Sequence, residues 1–161
     1  MLRITQTGRA DEFFKLPEVM EGKARRAVGK ATRKMRQELL NRVREKYTLP
    51  IGYTSKSIKV KVSGLQGEIK SKGRRNPLHH FKTLPKGRIT RRGVYIKAEV
   101  ERGKSRTLKQ SFRIKSPVIF ERLGQSRYPI KSMYAISSPQ MLEKVAPQVL
   151  PKAEKILSEA F

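Results

Sequence analysis

Apolar side chains return every third or fourth residue along the first third of the chain, at Ala24, Val28, Ala31, Met35, Leu39 and Val43. That spacing predicts an amphipathic helix with one buried stripe. Pro17 ends a first short turn and the acidic Glu18 suits a helix N-terminus, so the helix is expected over 18–47. Lys23, Arg25, Arg26, Lys30, Arg33, Lys34, Arg36, Arg42 and Arg44 fill the rest of the cylinder. One face packs and the others are cationic. Residues 1–8 read as a short strand or arm ending at Gly8.

Beyond Thr48-Leu49-Pro50-Ile51-Gly52, which breaks the helix, the period changes to two. Ser57-Ile58-Lys59-Val60-Lys61-Val62-Ser63 alternates as a half-buried strand does. A turn at Gly64 to Gly67 lets Glu68-Ile69-Lys70-Ser71-Lys72 return as its hairpin partner. Residues 73–92 read as loop, with turn clusters at Asn76-Pro77 and Pro85-Lys86-Gly87. Strands are expected from Val94 to Val100, from Leu108 to Ile114 and from Val118 to Phe120.

The last helix starts at Ser137-Ser138-Pro139-Gln140, either as a capping box of Ser137 with Gln140 or with Ser138 as cap and Pro139 first in the helix. Met141, Leu142, Val145, Val149, Ile156 and Leu157 form its apolar face, and Pro147 and Pro151 must kink or divide it. The fold class is therefore α+β: a long N-terminal helix, an antiparallel sheet of four to six strands, and a C-terminal helix packed on the sheet. A single domain over 1–161 divides into a basic helix (18–47), sheet and basic loops (54–120), a connector (121–137) and the C-terminal helix (138–160).

Charge changes the picture most. The 161 residues carry 38 Lys and Arg against 13 Asp and Glu, a formal net charge of +25. Self-repulsion of that size is relieved by a polyanion or an acidic protein surface, so DNA, RNA and acidic partners all fit. A membrane does not, because no long apolar run exists and the basic residues are spread along the chain. The absence of cysteine excludes disulfides, thiolate metal sites and a cysteine nucleophile. The N-terminal Met1-Leu2-Arg3-Ile4-Thr5 lacks the apolar run of a secretion signal, which implies a cytoplasmic origin.

Catalytic patterns are thin. Two-metal hydrolysis needs clustered carboxylates, but the chain has one aspartate, Asp11, and scattered glutamates. Glu99 and Glu101 beside a turn read as a salt-bridge site; a nuclease would need them as ligands. His79 and His80 are adjacent, so on a strand they would face opposite sides and not share a metal. No phosphate-binding glycine loop or nucleophile elbow is present, and no enzyme activity, cofactor or metal is expected. The basic stretch between Glu68 and Glu99 is the better candidate. Lys70, Lys72, Arg74, Arg75, Lys82, Lys86, Arg88, Arg91 and Arg92 can reach phosphates from turn-rich loops without reading bases. Phe81 stacks on a base or packs against the sheet. No nucleic-acid motif with defined spacing appears, so binding should be salt-sensitive and blind to sequence.

The tract Phe120–Gln140 carries a resemblance. An apolar run into Phe120 leads to Arg122-Leu123-Gly124, then Arg127-Tyr128-Pro129-Ile130, then the small-residue turn that opens the last helix. That order is similar to the minor tail protein Z family of long-tailed phages and prophages, the tail-completion proteins. A looser echo lies at Tyr47–Val62, where the resemblance has Thr54-Ser55-Lys56-Ser57-Ile58 opening a strand and Ser55 stands in place of the usual glycine. The resemblance implies a structural virion protein, assembled in the bacterial host cytoplasm and forming a ring, hexameric by the symmetry of the tail tube, at the head-proximal end of the tail. Its implied partners are further copies of itself, the tail terminator, the head–tail connector proteins and packaged DNA. Arg122, Arg127, Tyr128, Pro129 and Ile130 are then candidates for a subunit contact, against the plainer reading of a connection that only packs. Pro129 favours an extended backbone at Tyr128, with side chains projecting alternately. The alternative from another class is a free, sequence-independent nucleic-acid-binding protein, for which the charge alone suffices.

Overall fold

In the computed structural model, which describes residues 18–89, 94–114 and 117–159, helix α1 runs from Glu18 to Lys46. Ala24, Ala27, Val28, Ala31, Met35, Leu39, Leu40 and Val43 form its buried stripe, as the spacing predicts. The arm expected at 1–8 lies outside the described residues. After Tyr47, a short helix α2 (Ile51–Ser57) leads into β1 (Ile58–Ser63), which pairs antiparallel with β2 (Gln66–Ser71). The stretch Thr54–Ser57, expected to open a strand, is thus helical. The Tyr53 amide bonds the Pro50 carbonyl at 3.1 Å, and Arg36 on α1 donates to the carbonyls of Ser55 and Ile58 at 3.0 and 3.2 Å. The two Arg36 bonds satisfy carbonyls at the C-terminal end of α2 and the start of β1 from another element.

Gly64 turns the hairpin with φ +59°, where a side chain would be strained. Gly67 is required for another reason. A Cβ there would fall 2.0 Å from Thr32 Oγ1, and Thr32 is buried and bonded to the Val28 carbonyl at 2.7 Å. The hairpin therefore lies against α1 at closest approach.

Between 75 and 84, where loop was expected, two three-residue strands form: β3 (Arg75–Pro77) and, after a 3-10 turn at Leu78–His80, β4 (Lys82–Leu84). Such strands are too short to show alternation in sequence, and they exist because distant segments pair with them. β4 joins β5 (Ile96–Glu101) and β6 (Lys104–Leu108) in an antiparallel sheet. β7 (Ser111–Phe112), β8 (Phe120–Arg122) and β9 (Ile130–Ser132) make another, and β10 (Tyr134–Ser137) pairs with β3. The class is α+β as expected, with the strands shared among four small antiparallel sheets in the described residues.

Helix α3 (Ser138–Val149) opens with the Ser137–Gln140 capping box, and Pro139 sits within its first turn. Pro147 lies inside it, a 3-10 turn with Pro151 follows, and α4 (Ala153–Ser158) completes the chain's described part. The division expected of the prolines falls at the turn holding Pro151, whereas α3 runs on past Pro147 to Val149. α3 and α4 pack chiefly along α1, and α3 also touches β10 and β2.

Two apolar clusters result. The larger joins α1, α3, Tyr47, Ile58, Ile69 and Phe81, with Met141 and Val145 fully buried. The smaller holds Leu78, Ile89, Ile96, Ala98 and Ile119. Val100 and Ala135 touch both. The end of α1 is fastened to β5: Arg102 donates from its amide to the Lys46 carbonyl and from Nε to the Arg44 carbonyl, each at 2.9 Å.

Candidate nucleic-acid interface

Strand alternation puts Ile58 and Val60 of β1 toward α1, so Lys59 and Lys61 face solvent. Register places Lys59 opposite Lys70 and Lys61 opposite Glu68 on the same face. Lys70 is held by Glu68 at 2.8 Å. Lys59 and Lys61 make no ion pair among the described residues. Lys70, taken by Glu68, is no more a free cation than a paired surface lysine elsewhere, so the unpaired positive charge of this face comes from Lys59 and Lys61. Lys72, Arg74 and Arg75 continue the positive surface past the hairpin, all exposed. The Lys72 amide is fixed to the Ser57 carbonyl at 3.1 Å, and Arg75 lies opposite Ser137 in the β3–β10 ladder.

The other candidates lie on a different sheet. Lys82 on β4 is held by Glu99 at 2.7 Å, so it is not a free cation. Lys86 and Arg88 are exposed on the loop after β4. Arg91 and Arg92 lie outside the described residues. The basic stretch thus divides into an exposed group continuous with the hairpin and a second group around 82–88.

Glu99 and Glu101 behave as ion-pair residues. The Lys82 ammonium and then the Gly103 amide hold Glu99 below the usual carboxylate range, and Lys104, 3.0 Å from Glu101, does the same there. No cluster of His, Cys, Asp or Glu able to hold a metal forms among the described residues. His79 and His80 sit in the 3-10 turn, their rings edge to face at 4.4 Å, with Tyr53 stacked on His80 at 4.1 Å. Phe81 is buried in the larger core, so it packs and does not stack on a base.

In the connector, the run 122–129 is exposed throughout, with Leu123 at 55% and Tyr128 at 66%. The Tyr128–Pro129 bond is cis. The expected alternation of side chains is not kept: the Arg127 guanidinium folds to 5.9 Å from the Tyr128 ring centre. Arg122 lies 5.3 Å from the Phe112 ring, and Ile130 opposite it is half-buried in β9.

Two kinds of residue escaped the sequence reading. Lys59 and Lys61 were legible as the polar positions of an alternating strand, a signal that marks a face but not its use. Arg113 gave none. It is 5% exposed, and its guanidinium donates to the Pro85 and Lys86 carbonyls and to Thr83 Oγ1, so a cation is spent holding the 85–88 loop. Burial lowers its pKa.

No protein-family model, curated protein or solved structure matches this chain.

Proposed function

We propose that this protein is a structural component of a long-tailed phage particle, forming a ring at the head-proximal end of the tail and contacting DNA without sequence preference. The observation that carries the DNA contact is the outer face of the β1–β2 hairpin, where exposed Lys59 and Lys61 make no ion pair among the described residues and the positive surface continues through Lys72, Arg74 and Arg75. Phosphates laid over it neutralise charges that otherwise repel. The tail assignment rests on the resemblance of Phe120–Gln140, and the open apolar and cationic surface at Leu123, Arg127 and Tyr128 is suited to a neighbouring subunit or an acidic face of the terminator or connector. A ring of copies each at +25 needs such anions to assemble.

Binding to a short duplex across a salt series tests the DNA contact. Replacing Lys59, Lys61, Arg74 and Arg75 with alanine should flatten the slope of log affinity against log salt by about 0.9 for each phosphate no longer neutralised. Co-sedimentation with tails from a lysate tests the placement. A protein that binds DNA with the expected slope but never travels with tails is the free nucleic-acid-binding alternative.

A further inference from the structure

The loop at 85–88, the 3-10 turn and β4 border an open cavity of about 480 Å³. His79, His80, Lys82, Lys86 and Arg113 line it, and no carboxylate does among the described residues. Arg113 forms its wall as a buried cation whose partners are neutral oxygens, and its Nε has no partner among the described residues. Both histidine Nδ1 atoms are likewise buried without a described partner, which leaves Nε2 as the ring nitrogen that either half-exposed histidine has to offer a ligand. Lys82 is engaged by Glu99. Lys86 carries the lining ammonium that has no ion pair among the described residues.

We propose that this cavity is an oxyanion site that takes a phosphate group, with Lys86 and the two histidine rings as donors and Arg113 supplying fixed positive charge from behind. A carboxylate is the weaker fit. With the fork of Arg113 committed to Pro85, Lys86 and Thr83, the cavity offers no bidentate pair, and a planar carboxylate presents only two oxygens to the remaining single donors. A tetrahedral anion instead accepts single bonds from several directions, which is what a lysine on one loop and two rings on a 3-10 turn offer. The site stands apart from the hairpin's lysine face and does not depend on the tail assignment.

The test is a titration of the full chain with inorganic phosphate at constant ionic strength, following the histidine ring signals by NMR. Saturable shifts at His79 and His80 are expected. Lys86→Ala, an exposed change that leaves the fold intact, should weaken binding about tenfold, whereas Lys155→Ala on α4 should leave it unchanged. Shifts that grow without saturating, or an affinity that Lys86→Ala does not alter, would overturn the site and mark the effect as a diffuse ion atmosphere. A short DNA duplex that displaces phosphate from the saturated site makes the nucleic-acid backbone its source; failure to displace makes it a site for free phosphate.

Discussion

The two apolar clusters are built on different terms. The larger is fed by α1 and α3, whose buried side chains in it are aliphatic, and Tyr47 is its titratable member among the described apolar residues. The smaller gathers five residues from short strands and loops, and the polar group formed by Arg113, Thr83 and His79 lies alongside it. Long periodic elements bury enough surface to hold themselves, at about 1.5–3 kcal/mol for each fully buried Leu, Ile, Val or Met. Short strands cannot, so hydrogen bonds to a buried cation hold the adjoining loop. The groups suited to bind a ligand accordingly lie where the core is thin and local opening is cheapest.

The largest effect should come from emptying the larger cluster. Met141 is fully buried, and Met141→Ala should cost about 2–5 kcal/mol, read as a fall in the urea midpoint of the helical CD signal. Ile119→Ala, equally buried, should fall near the lower end, about 2 kcal/mol, because short strands around five residues relax into a cavity more readily. Hydrogen exchange should show that Ile119→Ala loosens β4 to β6 more than α1. Equal loosening of α1 would mean the two clusters are energetically one.

A smaller effect is expected at Arg113. Arg113→Met keeps most of the apolar length but removes bonds to two carbonyls and a hydroxyl, costing about 1.5–3 kcal/mol. The loss should be local. Trypsin should cut after Lys86 or Arg88 faster in the variant while the helical signal persists. An unchanged cutting rate would show that the loop is held by the Ile89–Arg113 backbone bridge alone.

Legibility from sequence follows the same division. The stripe of α1, the capping box at Ser137, the β1–β2 hairpin and the proline break after Val149 each depend on residues close in sequence, and each is read correctly. α2 is not, because Gly52, Ser55 and Ser57 give it no period and its Ser55 carbonyl is satisfied by Arg36 from another element. β3 and β4 depend on partners far along the chain, Tyr134–Ser137 and Lys97–Glu99. Of the candidate interface, Lys72, Arg74 and Arg75 follow directly on the hairpin, whereas Lys70 and Lys82 are engaged by Glu68 and Glu99. The Lys82–Glu99 pairing depends on β4–β5 register, which composition does not encode.

The smallest effect distinguishes the clusters by acid. His79 has its pKa lowered by burial, then by His80 and Arg113, so the fold favours the neutral ring. Its contribution to stability is complete above the ordinary imidazole value of about 6.5 and is lost as pH falls through the depressed one. Tyr47 in the larger core has its pKa raised by burial and by Glu101, so it stays neutral through this range and adds nothing. Glu99, Glu101 and Glu159 also have lowered values, but their contributions fade only below the ordinary carboxylate range, about pH 4.3. Thermal melts between pH 7.5 and pH 5 should therefore show a decline in wild type that His79→Gln flattens. Saturating phosphate should flatten it as well, because a bound anion stabilises the protonated ring that burial disfavours. A decline that His79→Gln leaves untouched would move the acid sensitivity away from the smaller cluster, and a decline that Met141→Ala abolishes would move it into the larger one.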